Sequence, residues 1–555
     1  MPTRSPVLFR INRRIGNTEG FYSLIVPAIV YLSLAVAILY AMWPYFYHIK
    51  NETFIVLGIF ASWRYGWAIT HYIRAVIYEF FRYPRLRRLT HDLPPDQRYP
   101  SHIFFIIPSY REEAWVTLEA IHSLFSNLAE IEITATFIVA TGSDEDDKAV
   151  YAAYKAHPYH HNVELVLQRQ KQGKRIAMGH ALRALARRYD GDYNSVTIFM
   201  DGDSYLPPRS LAIALPFFTR FRDLGAATTN EAAFINTRSL LYKEWFNLKF
   251  GQRHLLFKSH ALSNKVLTLT GRFSMFRTAI IAQEDFIQQI ENDYLDHWMH
   301  GRFRFLMGDG KSTWFYLLKH GWNMLYLHDV IAYSLESRDD SFLKISMSLP
   351  YRWYGNTLRN NLRALKLGWR RTGLFIWWCI FDQRINMWTG LAGITGATIL
   401  SLSKSFIYLP FYIAWVLIVK TLQTSVIALR GHPVSLLTIP LMLYNQWIGS
   451  LIKIKASFHL ADQSWSKGGQ KQSSQQDHIA VPHPLPPLMP DLTMLVSVLL
   501  FFYVMLLAEG ALELPRWPHA RAFAAGNHVE IDLTLYGVVA DDGKDDSAAI
   551  RRVLD

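Results

Sequence analysis

Val196-Thr197-Ile198-Phe199-Met200-Asp201-Gly202-Asp203 is an apolar run that ends in two carboxylates flanking a glycine. In an extended chain residues i and i+2 face the same side, so Asp201 and Asp203 can address one divalent cation while Gly202 lets a diphosphate approach. Carboxylate oxygens are hard ligands and suit Mg2+ or Mn2+. Asp-Gly-Asp alone is also an ordinary turn; the buried strand before it raises the metal reading. Similar apolar runs at 102–107, 135–140 and 163–167 alternate with helical stretches. This alternation, over residues 94–349, predicts an α/β domain with a largely parallel, buried sheet.

Ligands of such sheets bind beyond the carboxyl ends of the strands. Pro108-Ser109-Tyr110-Arg111-Glu112-Glu113 follows the first run and Thr141-Gly142-Ser143-Asp144 the second, while Gly173-Lys174-Arg175 precedes the helix leading to the aspartate strand. Small residues, backbone donors and paired cations at strand ends are what a nucleotide diphosphate requires. Each segment alone is weak, since a Lys-Arg pair is more often a solvated helix start. Their order along the chain carries the weight.

The flanks of this domain are built for a bilayer. An uncharged run at 21–43 follows Arg4, Arg10, Arg13 and Arg14 and is long enough to cross about 30 Å of hydrocarbon. It continues past the small residues Ala35 and Ala37, which favours an anchor over a cleaved signal. A second run, at 53–70, contains Arg64 and precedes Arg82, Arg85, Arg87 and Arg88, so residues 1–93 read as a transmembrane hairpin with cytoplasmic ends. Pro350 opens a helical pattern over 350–372 with Leu358, Leu362, Leu365 and Trp369 on one face and Arg359, Arg363, Lys366, Arg370 and Arg371 between them. This reads as an interfacial amphipathic helix, with a surface helix of the α/β domain as the alternative. Apolar blocks at 385–402, 406–429, 434–452 and 492–512 form a membrane region over 373–515 with a polar loop at 456–490. Placing 434–452 in the interface keeps Lys453, Lys455, Lys467 and Lys471 on the cytoplasmic side and leaves about five spans. The chain carries 58 basic against 45 acidic residues, a net +13. Because the basic groups adjoin membrane blocks and no recognition module appears, lipid and an acidic substrate are favoured over nucleic acid. The single cysteine, Cys379, excludes an intrachain disulfide.

The same residues, in order with Thr270-Gly271-Arg272-Phe273, Gly308-Asp309-Gly310-Lys311 and Arg352-Trp353, resemble the processive family-2 glycosyltransferases, the group that includes cellulose, chitin and hyaluronan synthases. Trp63-Arg64-Tyr65, Thr70-His71, the run from Arg302 to Asp309, Lys311-Ser312-Thr313-Trp314 and Arg352-Trp353-Tyr354-Gly355-Asn356 resemble the mannuronan synthases of bacterial alginate production. The resemblance covers about residues 20–515. It implies a GT-A-type domain on the cytoplasmic side of the inner membrane that transfers mannuronate from GDP-mannuronate, with inversion, to the 4-hydroxyl of a growing chain. The polyanionic product would be passed across the membrane, with Arg64, His71 and Arg384 on a polar path. It also implies a membrane partner carrying a cyclic-di-GMP-sensing PilZ domain.

Carried onto these positions, the resemblance makes Asp201 and Asp203 the metal ligands and Lys174 and Arg175 helpers at the departing GDP. Pro108, Ser109, Tyr110, Glu112, Thr141, Asp144 and Gly271 fall at the donor site. Arg272, Lys311 and Arg352 are candidates for the sugar carboxylate or diphosphate, and Trp353 for the acceptor ring. Asp309 is the nearest carboxylate that could take the acceptor proton. The chain departs from the pattern at Ala140-Thr141, where relatives carry two aspartates, at Leu349, where a glutamine is expected, and at Gly310, where relatives carry the aspartate general base. The last departure opens an alternative, a catalytically impaired scaffold of an exopolysaccharide complex, and on this reading Gly310→Asp should raise turnover. Another is a synthase of a neutral or amino-sugar polymer.

Residues 516–555 form a different unit. A strand at 530–533 and the stretch 536–550 resemble the opening coil of parallel β-helix lyases and C5-epimerases. One coil cannot bury a solenoid core. Deleting residues 523–555 is therefore expected to leave donor turnover in isolated membranes within about twofold of the full chain; a tenfold loss would make the tail part of the catalytic unit.

Overall fold

Strands buried on both faces are continuous apolar runs, and β1 (Ile103–Pro108) is one, with Ile103, Phe105 and Ile106 wholly buried. It pairs in parallel with β2 (Ala135–Thr141) and with β4 (Val196–Phe199), while β3 (Val163–Arg169) lies outside β2. The computed structural model describes residues 17–48, 54–110, 112–236, 239–337, 341–429, 432–463 and 488–512, with positions 547, 550 and 551. The remaining strands are β5 (Ser204–Tyr205), β6 (Leu224–Asn236), β7 (Ser274–Arg277), β8 (Tyr294–His297), β9 (Gly301–Arg304) and β10 (Asn323–Ser337). Eight of them form one sheet in the order β3-β2-β1-β4-β7-β6-β10-β5, and β8 and β9 form a separate hairpin. β7 runs antiparallel to β4 and β6, and β5 antiparallel to β10; the other six share a direction. The sheet is largely parallel, as expected, with β7 and β5 as its antiparallel members.

The parallel half gathers its loops at one end. The backbone N–H of Ser109 donates to the Ala140 carbonyl (2.8 Å), that of Gly202 to Pro108 (3.1 Å) and that of Asp201 to Gly271 (2.9 Å). These bonds draw the ends of β1, β2 and β4 and the 268–273 segment into one place, because each buried backbone group must find a partner.

By length and apolar composition, Phe21–Tyr45, Leu374–Ser403, Tyr408–Ala428 and Met489–Ala508 are candidate spans among the described residues. The apolar windows of the first and last are only 11% and 6% buried by protein, so their Ile, Val and Leu side chains have lipid as their natural cover. The helix Phe54–Ile77, counted as a span from the sequence, packs beside Leu240–Ala261 of the α/β domain. Its Arg64 faces Asp382 at 3.6 Å, and Lys453 of the helix Thr438–Phe458 donates to Asn386 at 2.6 Å. Arg384 donates to the Leu358 carbonyl (3.1 Å) and His71 shares a bond with Ser259 (2.9 Å). The expected polar path is therefore a seam of paired groups. Arg4 to Arg14, Arg111, the 464–487 stretch and the β-helix-like tail, apart from three positions, lie outside the described residues.

The amphipathic helix begins at Phe342, not at Pro350, and runs to Lys366 with Pro350 inside it. Two of its arginines turn inward. Arg359 is buried and donates to the Leu460 carbonyl (2.8 Å) and Asn356 (2.6 Å), while Arg363 makes a two-pronged pair with Asp293 (2.5 and 2.6 Å) and lies 4.0 Å over the Phe315 ring. Arg359 and Arg363 thus bolt the helix to the transferase domain, while Lys366, Arg370 and Arg371 stay exposed. Asp293 also accepts from Ser312 (2.5 Å) and faces Arg175 at 3.4 Å. Removing one partner of a buried pair leaves an uncompensated charge at about 3 kcal/mol. Arg363→Met should accordingly lower the melting temperature of the purified protein by several degrees; an unchanged melting curve would show that this tie does not hold the helix.

Candidate active site

The centre is a lysine between two aspartates. Lys174 opens the helix Lys174–Ala186 after Gly173, whose φ of +101° suits only glycine. Its ammonium donates to Asp201 at 2.7 Å and lies 3.3 Å from Asp309. Burial works against the ammonium, but Asp201 and then Asp309 outweigh it and hold its pKa above the usual lysine range. Asp309 is the first residue of the helix Asp309–His320, where the free N–H groups and the helix dipole favour a carboxylate. Gly308 before it, at φ +86°, makes the turn and leaves room for Asn356 of the amphipathic helix, 3.0 Å from where a Cβ would stand.

Two glycines make the approach possible. A Cβ on Gly271 would lie 2.7 Å from Asp201 Oδ2, and one on Gly310 would lie 2.1 Å from the Leu269 carbonyl oxygen. The 268–271 segment is thereby pressed between the aspartate loop and the Asp309 helix. This changes the reading of Gly310. A side chain there strikes backbone, so the position has no room for a base, and Asp309 is the carboxylate that faces the centre.

Asp203 follows Gly202, and its carbonyl accepts from Leu335 N–H (2.7 Å), tying the aspartate loop to β10. Ser109 is buried beneath Gly202, 3.0 Å from where a Cβ would be, and Tyr110 lies against Gly142. Pro108 and Glu112 bracket this turn, both partly exposed. Thr141 is buried and bonds Asp147, and Asp144 pairs with Arg169. These residues of the expected donor site do converge at the strand ends.

Others do not. Arg175 is buried and spends its guanidinium on the carbonyls of Ile290 (2.8 Å), Gln289 (3.2 Å) and Met307 (3.3 Å) and on Ser312 (3.0 Å), so it braces the domain and does not face a diphosphate. Lys311 points the other way from Asp309 and donates to the Leu267 carbonyl (2.5 Å); burial, with Arg253 and Lys453 nearby, brings its pKa down to about 7. Arg272 pairs with Glu231 at 2.9 Å. Arg352 stays partly exposed, and Trp353 stacks on Trp245 with ring planes 9° apart at 6.1 Å.

Glu231 and Arg253 were not among the residues singled out. Glu231, at 1% side-chain exposure, accepts from both Arg253 and Arg272. Burial raises its pKa, but the two guanidinium groups outweigh it and take the pKa down to about 2. Its partners lie 22 and 41 residues away, beyond any local motif.

A carboxylate loop at the end of a parallel strand, a second carboxylate on a facing helix and a cation between them form a centre for moving a negatively charged leaving group. That is the construction of a nucleotide-sugar transferase. Residues 100–356 match the family described as "Glycosyltransferase like family 2". The chain is 37% identical over 448 residues to the glycosyltransferase alg8 of Pseudomonas syringae pv. tomato, covering 80% of this chain and 90% of the relative. It is 33% identical to that of Azotobacter vinelandii, over 83% and 92% respectively. The chain belongs to the family-2 glycosyltransferases and, within them, to the group of glycosyltransferase alg8. The family read from the motifs is borne out. Among solved structures, a mannosyltransferase from Pyrobaculum calidifontis in complex with GDP-Man and Mn2+ is similar at 17% identity and TM-score 0.37, over 67% of this chain and 99% of that one.

The clash at Gly310 yields a test that runs against the sequence expectation. Gly310→Asp must displace the Leu269 carbonyl, so it is expected to cut transfer by tenfold or more in a membrane assay. A rise in turnover would restore Gly310 as the place of a missing base.

Proposed function

We propose that this protein polymerises mannuronate from GDP-mannuronate and passes the polyanion across the bacterial inner membrane, with its α/β domain on the cytoplasmic side. The observation that carries the reading is the Asp201–Lys174–Asp309 centre set beside membrane helices. The alginate-type resemblance of the motifs supplies the sugar. Asp309 accepts the proton of the acceptor 4-hydroxyl while that oxygen bonds to the anomeric carbon. The bond from that carbon to GDP breaks, its electron pair leaves with the diphosphate, and the configuration inverts. Lys174 meets the charge that develops on the leaving group. Asp201 and Asp203 offer a hard-oxygen set that fits Mg2+ or Mn2+. Such an ion, when bound, supplies charge neutralisation at the diphosphate.

Arg272 and Arg352 both keep partial exposure, and Arg352 adjoins Trp353 in the chain, which fits it to a uronate carboxylate at the acceptor end. The resemblance also supports a membrane partner with a cyclic-di-GMP-sensing PilZ domain.

Membranes containing the chain and such a partner should incorporate label from GDP-mannuronate into polymer, and not label from UDP-glucose or UDP-N-acetylglucosamine. Asp309→Asn should abolish incorporation, a loss of about 10² or more, with donor affinity kept. Asp201→Asn should remove metal-dependent donor binding. Incorporation from a UDP-sugar in preference would sink the substrate assignment, and full activity in Asp309→Asn would sink the base.

A further inference from the structure

Away from the transfer centre, three elements meet at a buried cluster that the reaction does not use. His71 comes from the helix Phe54–Ile77, His260 from Leu240–Ala261 and Cys379 from Leu374–Ser403. All three are buried, and one ligand atom from each lies within 4.8 Å of the others. His260 is 4% exposed, and its Nδ1 has no hydrogen-bond partner. A buried polar atom left unpaired costs about 1–3 kcal/mol, so this nitrogen calls for a partner. His71 Nδ1 is held by Ser259 Oγ at 2.9 Å, which leaves Nε2 as its free ring nitrogen. Such a bond to the far nitrogen is what orients a metal-binding imidazole. The rings of Trp67 and Phe375 pack on His71 at 4.8 and 5.6 Å and keep the site dry.

Two imidazoles and one thiol form a soft to borderline set, unsuited to the hard ions that carboxylates hold. Charge narrows the choice. Arg74 already stands at the site, 3.6 Å over the Phe375 ring and bonded to Ser263 at 2.5 Å and to the Ser259 carbonyl at 3.3 Å. The carboxylate nearest along the chain, Asp382, is already faced by Arg64 at 3.6 Å, so a divalent ion with one thiolate would add a positive charge to this buried place, whereas a monovalent ion with one thiolate adds none. We propose that His71, His260 and Cys379 bind one Cu(I) ion that fastens together the second N-terminal helix, the transferase domain and the first helix of the C-terminal membrane region. On binding, the Cys379 thiol loses its proton to solvent and its sulfur bonds to copper, with no change of oxidation state. Metal–ligand bonds of about 2.0–2.3 Å put ligand atoms roughly 3.5 Å apart, so the side chains close by about 1 Å.

The test uses the purified full chain in detergent, washed with chelator and titrated under ascorbate against the coloured Cu(I)–bicinchoninate complex. The wild type should withdraw one equivalent of Cu(I) more than Cys379→Ala or His260→Gln, both checked by size exclusion and GDP binding, and its melting temperature should rise on loading. X-ray absorption of the loaded wild type should show one sulfur and two nitrogen neighbours. Equal uptake by wild type and Cys379→Ala, or stoichiometric Zn(II) uptake without Cu(I) uptake, would overturn the proposal. Should Cys379→Ala fail to fold, the absence of sulfur around copper in the wild type would overturn it equally.

Discussion

Two carboxylates facing one half-buried ammonium set the terms for the rest of this protein. Asp201 and Asp309 belong to different layers, one at the end of a central strand and the other at the start of a helix 108 residues later in the chain, and Lys174 from a third element stands between them. Without the lysine the two negative groups would repel in a poorly solvated place; without the carboxylates, burial would act on the ammonium unopposed and lower its pKa. The neighbouring residues follow from that geometry. Gly271 and Gly310 are bare because their missing side chains are where Asp201 and the Leu269 carbonyl lie. Gly308 turns the chain so that Asp309 heads its helix, and Asn356 fills the space beneath.

A second set of charges carries this arrangement to the membrane. Asp293 gathers Arg363, Ser312 and Arg175, so the helix Phe342–Lys366, the Asp309 helix and the Lys174 helix share one buried anion. The amphipathic helix is thereby a strut between the transferase domain and the membrane helices, and a shift at either end is felt at the other through packed groups. Glu231 with Arg253 and Arg272 performs the same service on the far side of the 268–273 segment.

Much of this was legible in the sequence where the signal is local. The runs at 102–107, 135–140, 163–167 and 196–200 became β1 to β4 within a residue or two; β1, β2 and β4 are apolar nearly throughout because both of their faces are buried, whereas β3 is a partly exposed edge strand. Lys174 after its glycine was legible because a helix start fixes where its first side chains point, whereas Asp201 and Asp203, expected on an extended strand, lie in a turn beyond the end of β4 that is closed by the Ser204 N–H to Asp201 carbonyl bond (3.0 Å). What failed was long-range. Nothing near Arg175 or Lys311 announces that one is enclosed by carbonyls 114 to 132 residues away and the other by a carbonyl 44 residues away, and both looked like exposed cations. Glu231 and Asp293 sit in unremarkable local sequence and become central only once their arginines arrive. The arginines of 359–363 fit an interfacial helix by periodicity alone, since periodicity does not distinguish headgroup phosphates from buried carboxylates.

The account stands on Lys174 acting in the transfer itself and not only in holding the fold. The most direct measurement is single-turnover transfer of labelled mannuronate from GDP-mannuronate by Lys174→Met, in membranes where the variant is inserted to the wild-type level. Losing a positioned cation at a developing negative charge should slow transfer by about 10² to 10³ and weaken GDP binding with it. Transfer at the wild-type rate would contradict the account.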